Sequence, residues 1–154
     1  MFNRSHIYRF ALPLSILLLL FMNFFLKQAN DIKPQDAQCQ IEGTSKCIIQ
    51  RQDKKFSLEL SNAPEIEEEI RLLLEYPNSY ELSAAWVQGV NMYMGRSALV
   101  IENTQSHEKL TVTEALFFLG ACSEKSMLWQ LVTVYIEPNT EHEIKLYYNF
   151  STHQ

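Results

Sequence analysis

The chain has 154 residues, of which 47% are hydrophobic and 20% are charged, so it is suited to one packed domain rather than a disordered chain. The net charge is −5, and residues 35–154 carry 9 basic and 17 acidic side chains, a net charge of −8 for that part. Because such a surface repels nucleic acid and anionic headgroups, the composition argues against nucleic acid as a partner.

Residues 10–26 are an uncharged apolar run between Arg9 and Lys27. As a helix the run would span about 25 Å, slightly less than a hydrocarbon core of roughly 30 Å, and the flanking cations can reach the two interfaces. No Ala-x-Ala-like cleavage site follows, which favours an uncleaved transmembrane anchor over the alternative, a cleaved signal peptide. The basic side chains of residues 1–9 predict a cytoplasmic N-terminus, so either alternative places the rest of the chain outside the cytoplasm.

Residues 27–38 are polar and include Pro34, which predicts a linker, and a domain of short alternating runs follows at 39–154. Strands are expected at 47–51, 56–60, 81–90, 98–102, 110–119, 128–136 and 143–150, whereas 70–76 fits either a strand or one face of a helix. This spacing predicts an antiparallel β-sandwich. The aromatic residues expected to fill its core are Trp86, Phe117, Phe118, Trp129 and Tyr135.

The chain has three cysteines, and two of them lie close together in the sequence. Cys39 and Cys47 flank a segment in which Gly43 allows a tight reversal. In an oxidising compartment a disulfide between them is expected, worth about 2–3 kcal/mol, and a pair of buried thiols is the alternative. Cys122 is then left over, and a third thiol in an exported protein is reactive, metal-binding or intermolecular.

Two short segments carry the sulfur atoms that could form a metal site. Met92 and Met94 lie two residues apart between glycines, so on a strand both thioethers would point to one face. Cys122 and Met127 lie in a later turn-like segment. If the two segments meet at one end of the sandwich, four sulfur atoms converge, and Cu(I) prefers such ligands. The alternative is that the methionines fill the core and the cysteine acts as a small hydrophobe.

The order of these motifs resembles a group of small bacterial exported proteins and the YtkA-like and FixH-like β-sandwich domains. The resemblance covers 39–136 and is carried by the two cysteines, by Gly-Val-Asn-Met-Tyr-Met-Gly at 89–95, and by Cys-Ser-Glu-Lys-Ser-Met-Leu-Trp at 122–129. It implies an immunoglobulin-like fold with 70–76 as a strand, a domain in the periplasm, and a role in copper handling or in assembly of respiratory oxidases. The implied ligands are Met92, Met94, Cys122 and Met127.

Neither sulfur motif contains a histidine, which favours a Cu(I) site with sulfur ligands only, and His107 and His142 are expected on the surface. The expected partners are lipid through the anchor and a copper-containing membrane complex or copper carrier. No nucleophile elbow, zinc-protease motif or phosphate-binding glycine loop is present, so we expect a protein that is not an enzyme. The alternative function is a metal-free interaction module that docks on a membrane protein complex.

Overall fold

The computed structural model describes residues 37–140 and 142–153, so the predicted anchor at 10–26 and most of the linker at 27–38 lie outside the described residues. The described residues form strands and no helix, which confirms the prediction of a mainly β domain. Within these same ranges, no helix is long and apolar enough to cross a membrane.

The described residues contain ten strands. In chain order they are β1 (Cys39–Gln40), β2 (Cys47–Arg51), β3 (Lys54–Leu60), β4 (Glu69–Pro77), β5 (Glu81–Gly89), β6 (Arg96–Ala98), β7 (Val100–Ser106), β8 (Leu110–Phe118), β9 (Ser126–Glu137) and β10 (His142–His153). One sheet has the order β1-β10-β9-β5-β6 and the other has the order β2-β3-β4-β8-β7. All neighbouring strands are antiparallel except β1, which runs parallel to β10.

The two sheets pack face to face through aromatic side chains, so the domain is a β-sandwich. Tyr135 of β9 contacts Phe56 of β3 and Tyr76 of β4, with ring centroids 4.9 Å apart in each pair. Phe117 of β8 contacts Phe150 of β10 at 5.9 Å. Rings of this size remove a large apolar area from water, and their tilted packing adds a specific contribution between the sheets.

Two of the five predicted core aromatics are not in the core. Phe117, Trp129 and Tyr135 are buried as expected, but Phe118 is 50% exposed. Successive residues of a strand point to opposite faces, so burial of Phe117 turns Phe118 outward. Trp86 is half-buried under the guanidinium of Arg96, 4.8 Å from the ring centroid.

The segment that the residue pattern left ambiguous is a strand. Residues 70–76 lie within β4, and their alternate side chains Ile70, Leu72, Leu74 and Tyr76 are all buried. The predicted strand at 98–102 is wrong in detail, because Leu99 separates β6 in one sheet from β7 in the other. The chain therefore changes sheets at this edge of the sandwich.

A disulfide joins the two sheets at the opposite edge. Cys39 lies on β1 and Cys47 on β2, which are the edge strands of different sheets, and their Cα atoms are 6.2 Å apart. Gly43, in the connecting turn, has a φ of +59°, a conformation that glycine adopts at little cost. The predicted disulfide and the predicted reversal are both confirmed.

Candidate metal centre

Met92 and Met94 lie on a loop and not on a strand. β5 ends at Gly89, and residues 90–95 connect it to β6. The alternation that suggested a strand persists in the loop: both methionines are half-buried, and Tyr93 between them is 80% exposed. The condition that the two methionines lie on a strand is therefore not met, although both thioether side chains do turn towards the protein.

The side chain of Asn91 fixes this loop to the beginning of β9. Its Oδ1 accepts a hydrogen bond from the N–H of Leu128 at 2.9 Å, and its Nδ2 donates to the carbonyl of Ser126 at 3.0 Å. The N–H of Val90 also donates to the carbonyl of Leu128, at 2.8 Å. An asparagine amide can imitate a backbone peptide in this way, so it continues the pairing of β5 with β9 beyond the end of β5.

A close backbone approach requires glycine at position 89. A Cβ atom built on Gly89 would lie 2.2 Å from the carbonyl oxygen of Met92 and 3.2 Å from the Cε atom of Met127. Only a residue without a Cβ permits the loop to fold back this tightly. Gly89 and Asn91 thus position the loop. A close approach is what a glycine beside the methionine pair predicts, whereas the role of Asn91 was not predicted.

Cys122 lies in the loop between β8 and β9, and it meets the methionine loop. Its Sγ atom is 3.2 Å from Sδ of Met92, in the geometry of an S–H donor to a thioether. The N–H of Glu124 donates to the same Sγ atom at 3.4 Å. Both Cys122 and Met92 are half-buried, so this sulfur pair lies at the rim of the core.

The other two predicted ligands lie beside the same loops. The Cε atom of Met94 is 3.7 Å from the position that a Cβ of Gly120 would occupy, two residues before Cys122. Met127 is fully buried and packs against Gly89. The structure therefore brings Met92 into contact with Cys122 and places Met94 and Met127 at the same end of the sandwich. The role of these two methionines as ligands stays a prediction.

The chemistry of this end of the domain suits a soft ion. In the part of the chain that the structure describes, no group of three or more His, Cys, Asp or Glu side chains could hold a metal ion. His107 and His142 are exposed, as expected. Two sulfur ligands of one tetrahedral ion would lie about 3.8 Å apart if the metal–sulfur bonds are about 2.3 Å long. To bind one ion together, Sγ of Cys122 and Sδ of Met92 would therefore have to move apart by only about half an ångström.

Fold and site together define a β-sandwich domain that carries a thiol–thioether pair at one end. No protein-family model matches the chain, and no curated protein and no solved structure shows significant similarity to it. The resemblance to YtkA-like and FixH-like domains therefore stays a prediction.

Proposed function

We propose that this chain is a membrane-tethered accessory protein whose outer domain binds Cu(I) for copper handling or for assembly of a respiratory oxidase. The observation that carries the proposal is the 3.2 Å contact between Sγ of Cys122 and Sδ of Met92. Thiolate and thioether are soft ligands, and they favour Cu(I) over the harder divalent ions. The partner in this proposal is a copper-containing membrane complex or a copper carrier.

The charge of the site favours a monovalent ion. A thiolate at Cys122 and one Cu(I) ion together carry no net charge, and thioethers add none, so a half-buried site of this composition has a small desolvation cost. Without metal, the Cys122 thiol donates its proton towards Met92. Binding replaces that proton, so we expect about one proton to be released for each ion bound. Two further thioethers, those of Met94 and Met127, lie beside the same two loops and are the additional ligands in this proposal.

Two features support the exported, immunoglobulin-like form of the proposal. The disulfide between Cys39 and Cys47 is typical of domains in oxidising compartments such as the periplasm. The strand orders β3-β4-β8-β7 and β10-β9-β5-β6 correspond to the A-B-E-D and G-F-C-C′ orders of immunoglobulin sandwiches. The apolar run at 10–26 supplies the tether to the bacterial inner membrane, with residues 1–9 in the cytoplasm.

A Cu(I) titration of the full-length chain in a non-ionic detergent tests the proposal. Under anaerobic reducing conditions, competition with a chromogenic Cu(I) chelator should show one ion bound per chain. Replacement of Met92 by Leu or of Cys122 by Ser should weaken Cu(I) binding at least about tenfold. Mutation of residues that only hydrogen-bond to a metal's ligands already lowers metal affinity roughly 10–100-fold. Leucine preserves the packing volume, so the first variant removes the sulfur atom and little else.

Ser123→Ala is the matched control, because it changes the same loop without changing a sulfur atom. It should bind Cu(I) as the natural chain does. Unchanged affinity in the combined Met92→Leu, Met94→Leu and Cys122→Ser variant would show that copper binds elsewhere, and no binding by the natural chain would also contradict the proposal. A Met127→Leu variant decides whether the buried methionine is a ligand or only a support for the loop.

One observation favours the second candidate function, a metal-free module that docks on a membrane protein complex. β7 is seven residues long and exposed along its whole length, whereas the other edge strands have two, three and five residues. Its only charged side chain, Glu102, pairs with Arg71. Long edge strands without lysine or proline can accept a further strand, here an extended segment of a partner protein.

Co-purification from detergent-solubilised membranes tests this second function. Asn103→Lys places a charge on the exposed edge of β7 and should release a partner that pairs there, while Gln50→Lys on β2, the other edge of the same sheet, should not. Equal recovery of the partner with both variants, or a solitary chain at native expression, would contradict docking through β7.

A further inference from the structure

A cleft of about 330 Å³ opens between the sheets near the beginning of β5, whereas the sulfur pair of Met92 and Cys122 lies near the end of β5. Glu81 and Leu82, at the beginning of β5, line the cleft, whereas Gly89 at the end of β5 contacts the methionine loop. The volume falls at the lower end of the range of roughly 300–1,000 Å³ that is typical of ligand pockets.

The inner wall of the cleft is made of hydroxyl groups, in positions where a sandwich normally has apolar side chains. Thr113 and Thr111 are inward-facing residues of β8, and further along the same face the strand carries Ala115 and Phe117. Across the strands, Thr104 lies 3.2 Å from Thr113 and Ser106 lies 3.1 Å from Thr111, measured between side-chain oxygens. This change from apolar to hydroxyl residues makes this wall of the cleft polar.

The hydroxyl network continues to β4. The phenol oxygen of Tyr76 is 3.0 Å from Oγ1 of Thr113, and either atom can be the donor. Hydroxyl groups can exchange their donor and acceptor roles, so they can accept hydrogen bonds from a ligand while they keep the hydrogen bonds to one another. Leu82 and Ile101 add apolar surface, which would contact a hydrocarbon portion of a ligand.

The electrostatic character of the cleft is negative. Glu81 carries the one carboxylate among the lining side chains, and none of those side chains is a lysine, arginine or histidine. Glu81 pairs with Ile136 across the sheet, which places Glu137 at the same end. Burial raises the pKa of Tyr80, another lining residue, and the negative charge of Glu137 adds to that rise. The adjacent β7–β8 turn carries both Glu108 and Lys109, so it adds no net charge.

We propose that this cleft binds a small organic cation, an ammonium group on a short apolar chain or ring. The carboxylate of Glu81 pairs with the ammonium, the hydroxyls of Thr104 and Thr113 accept its hydrogen bonds, and Leu82 and Ile101 contact the apolar portion. An anion of the same size is repelled, and a neutral alcohol keeps the hydrogen bonds but loses the ion pair.

Three probes of one shape test the proposal: 2-phenylethylammonium, 2-phenylethanol and 3-phenylpropionate. Each is titrated into the isotopically labelled full-length chain in a non-ionic detergent, and the methyl resonances of Leu82, Ile101, Thr104, Thr111 and Thr113 are followed by NMR. We expect saturable shifts of these resonances with the ammonium, about two- to five-fold weaker binding of the alcohol, and the weakest binding of the carboxylate.

Glu81→Gln should abolish the preference for the ammonium over the alcohol and leave the binding of the alcohol unchanged. Glu114→Gln, on the outer face of β8, is the matched control and should keep the preference. The proposal is overturned if the carboxylate binds as tightly as the ammonium, if the shifts map outside the cleft, or if the preference survives Glu81→Gln. Cys122→Ser should bind the ammonium normally, which separates this cleft from the copper site.

Discussion

At the residue scale, Gly89 holds the methionine loop against the sandwich. The Cβ of an alanine at this position would lie 2.2 Å from the backbone carbonyl of Met92, and a backbone atom cannot move aside as a flexible side chain can. We therefore expect Gly89→Ala to displace the loop, to lower the free energy of unfolding by about 1–3 kcal/mol, and to weaken Cu(I) binding. Urea denaturation measures the first effect and chelator competition measures the second.

Gly120→Ala is the control for that substitution. Its Cβ would meet only the Cε atom of Met94 at 3.7 Å, which is an ordinary van der Waals contact. We expect a change in the free energy of unfolding of no more than about 0.5 kcal/mol. Equal losses in the two glycine variants would mean that the close approach of the loop does not determine its position.

Residue types alone indicated the sulfur chemistry, but not its geometry. Met92 and Cys122 are 30 residues apart in the chain, and their contact at 3.2 Å depends on where two loops meet. Met92 and Met94 lie on a loop because Asn91 continues the pairing through its side chain, which no backbone pattern reveals. An asparagine in a Gly-Val-Asn-Met turn is the one sequence signal that could have indicated this.

At the scale of the elements, the edges of the two sheets are held together differently. On one side the chain itself passes from β6 to β7 at Leu99, and on the other side β1 and β2 are joined by the disulfide between Cys39 and Cys47. β1 has only two residues, so its own hydrogen bonds provide little stability. The disulfide is therefore the main constraint on that edge.

Replacement of both Cys39 and Cys47 by alanine should lower the free energy of unfolding by about 2–3 kcal/mol, because the closed loop no longer restricts the unfolded chain. Urea denaturation with and without reductant measures this loss. Cys122→Ser should keep the full sensitivity to reductant, since it leaves the disulfide in place. Alkylation of both Cys39 and Cys47 under non-reducing conditions would contradict the disulfide.

At the scale of the whole molecule, the core contains phenol groups that can be ionised only at high cost. Tyr135 is fully buried between the sheets, and burial raises its pKa well above the ordinary value of 10, with a further contribution from Tyr148. Burial also raises the pKa of Tyr148, and the hydroxyl of Thr133 offsets only part of that rise. Both groups are protonated in the folded state under conditions where the unfolded chain would already lose protons.

The domain should therefore lose stability in alkaline solution. A folded pKa above the unfolded one gives a contribution that is complete below about pH 10 and is lost as the pH rises towards the folded value. Absorbance at alkaline pH should show part of the signal of the seven tyrosines appearing only on unfolding. Tyr135→Phe should make stability less dependent on pH in this range. Ionisation of all tyrosines in one step, with the near-ultraviolet circular dichroism unchanged, would contradict the prediction.

The sequence by itself determined the position of most strands, because alternation of apolar and polar residues is a local property with a period of two. It predicted β2 with its bounds, located most of the other longer strands, and paired Cys39 with Cys47 across a short turn. Only the tertiary structure decided that Phe118 faces solvent, that Met92 meets Cys122, and that hydroxyls of β7 and β8 line a cleft. Each of these depends on which distant strands become neighbours, and that choice is made by packing of the whole sandwich rather than by local pattern.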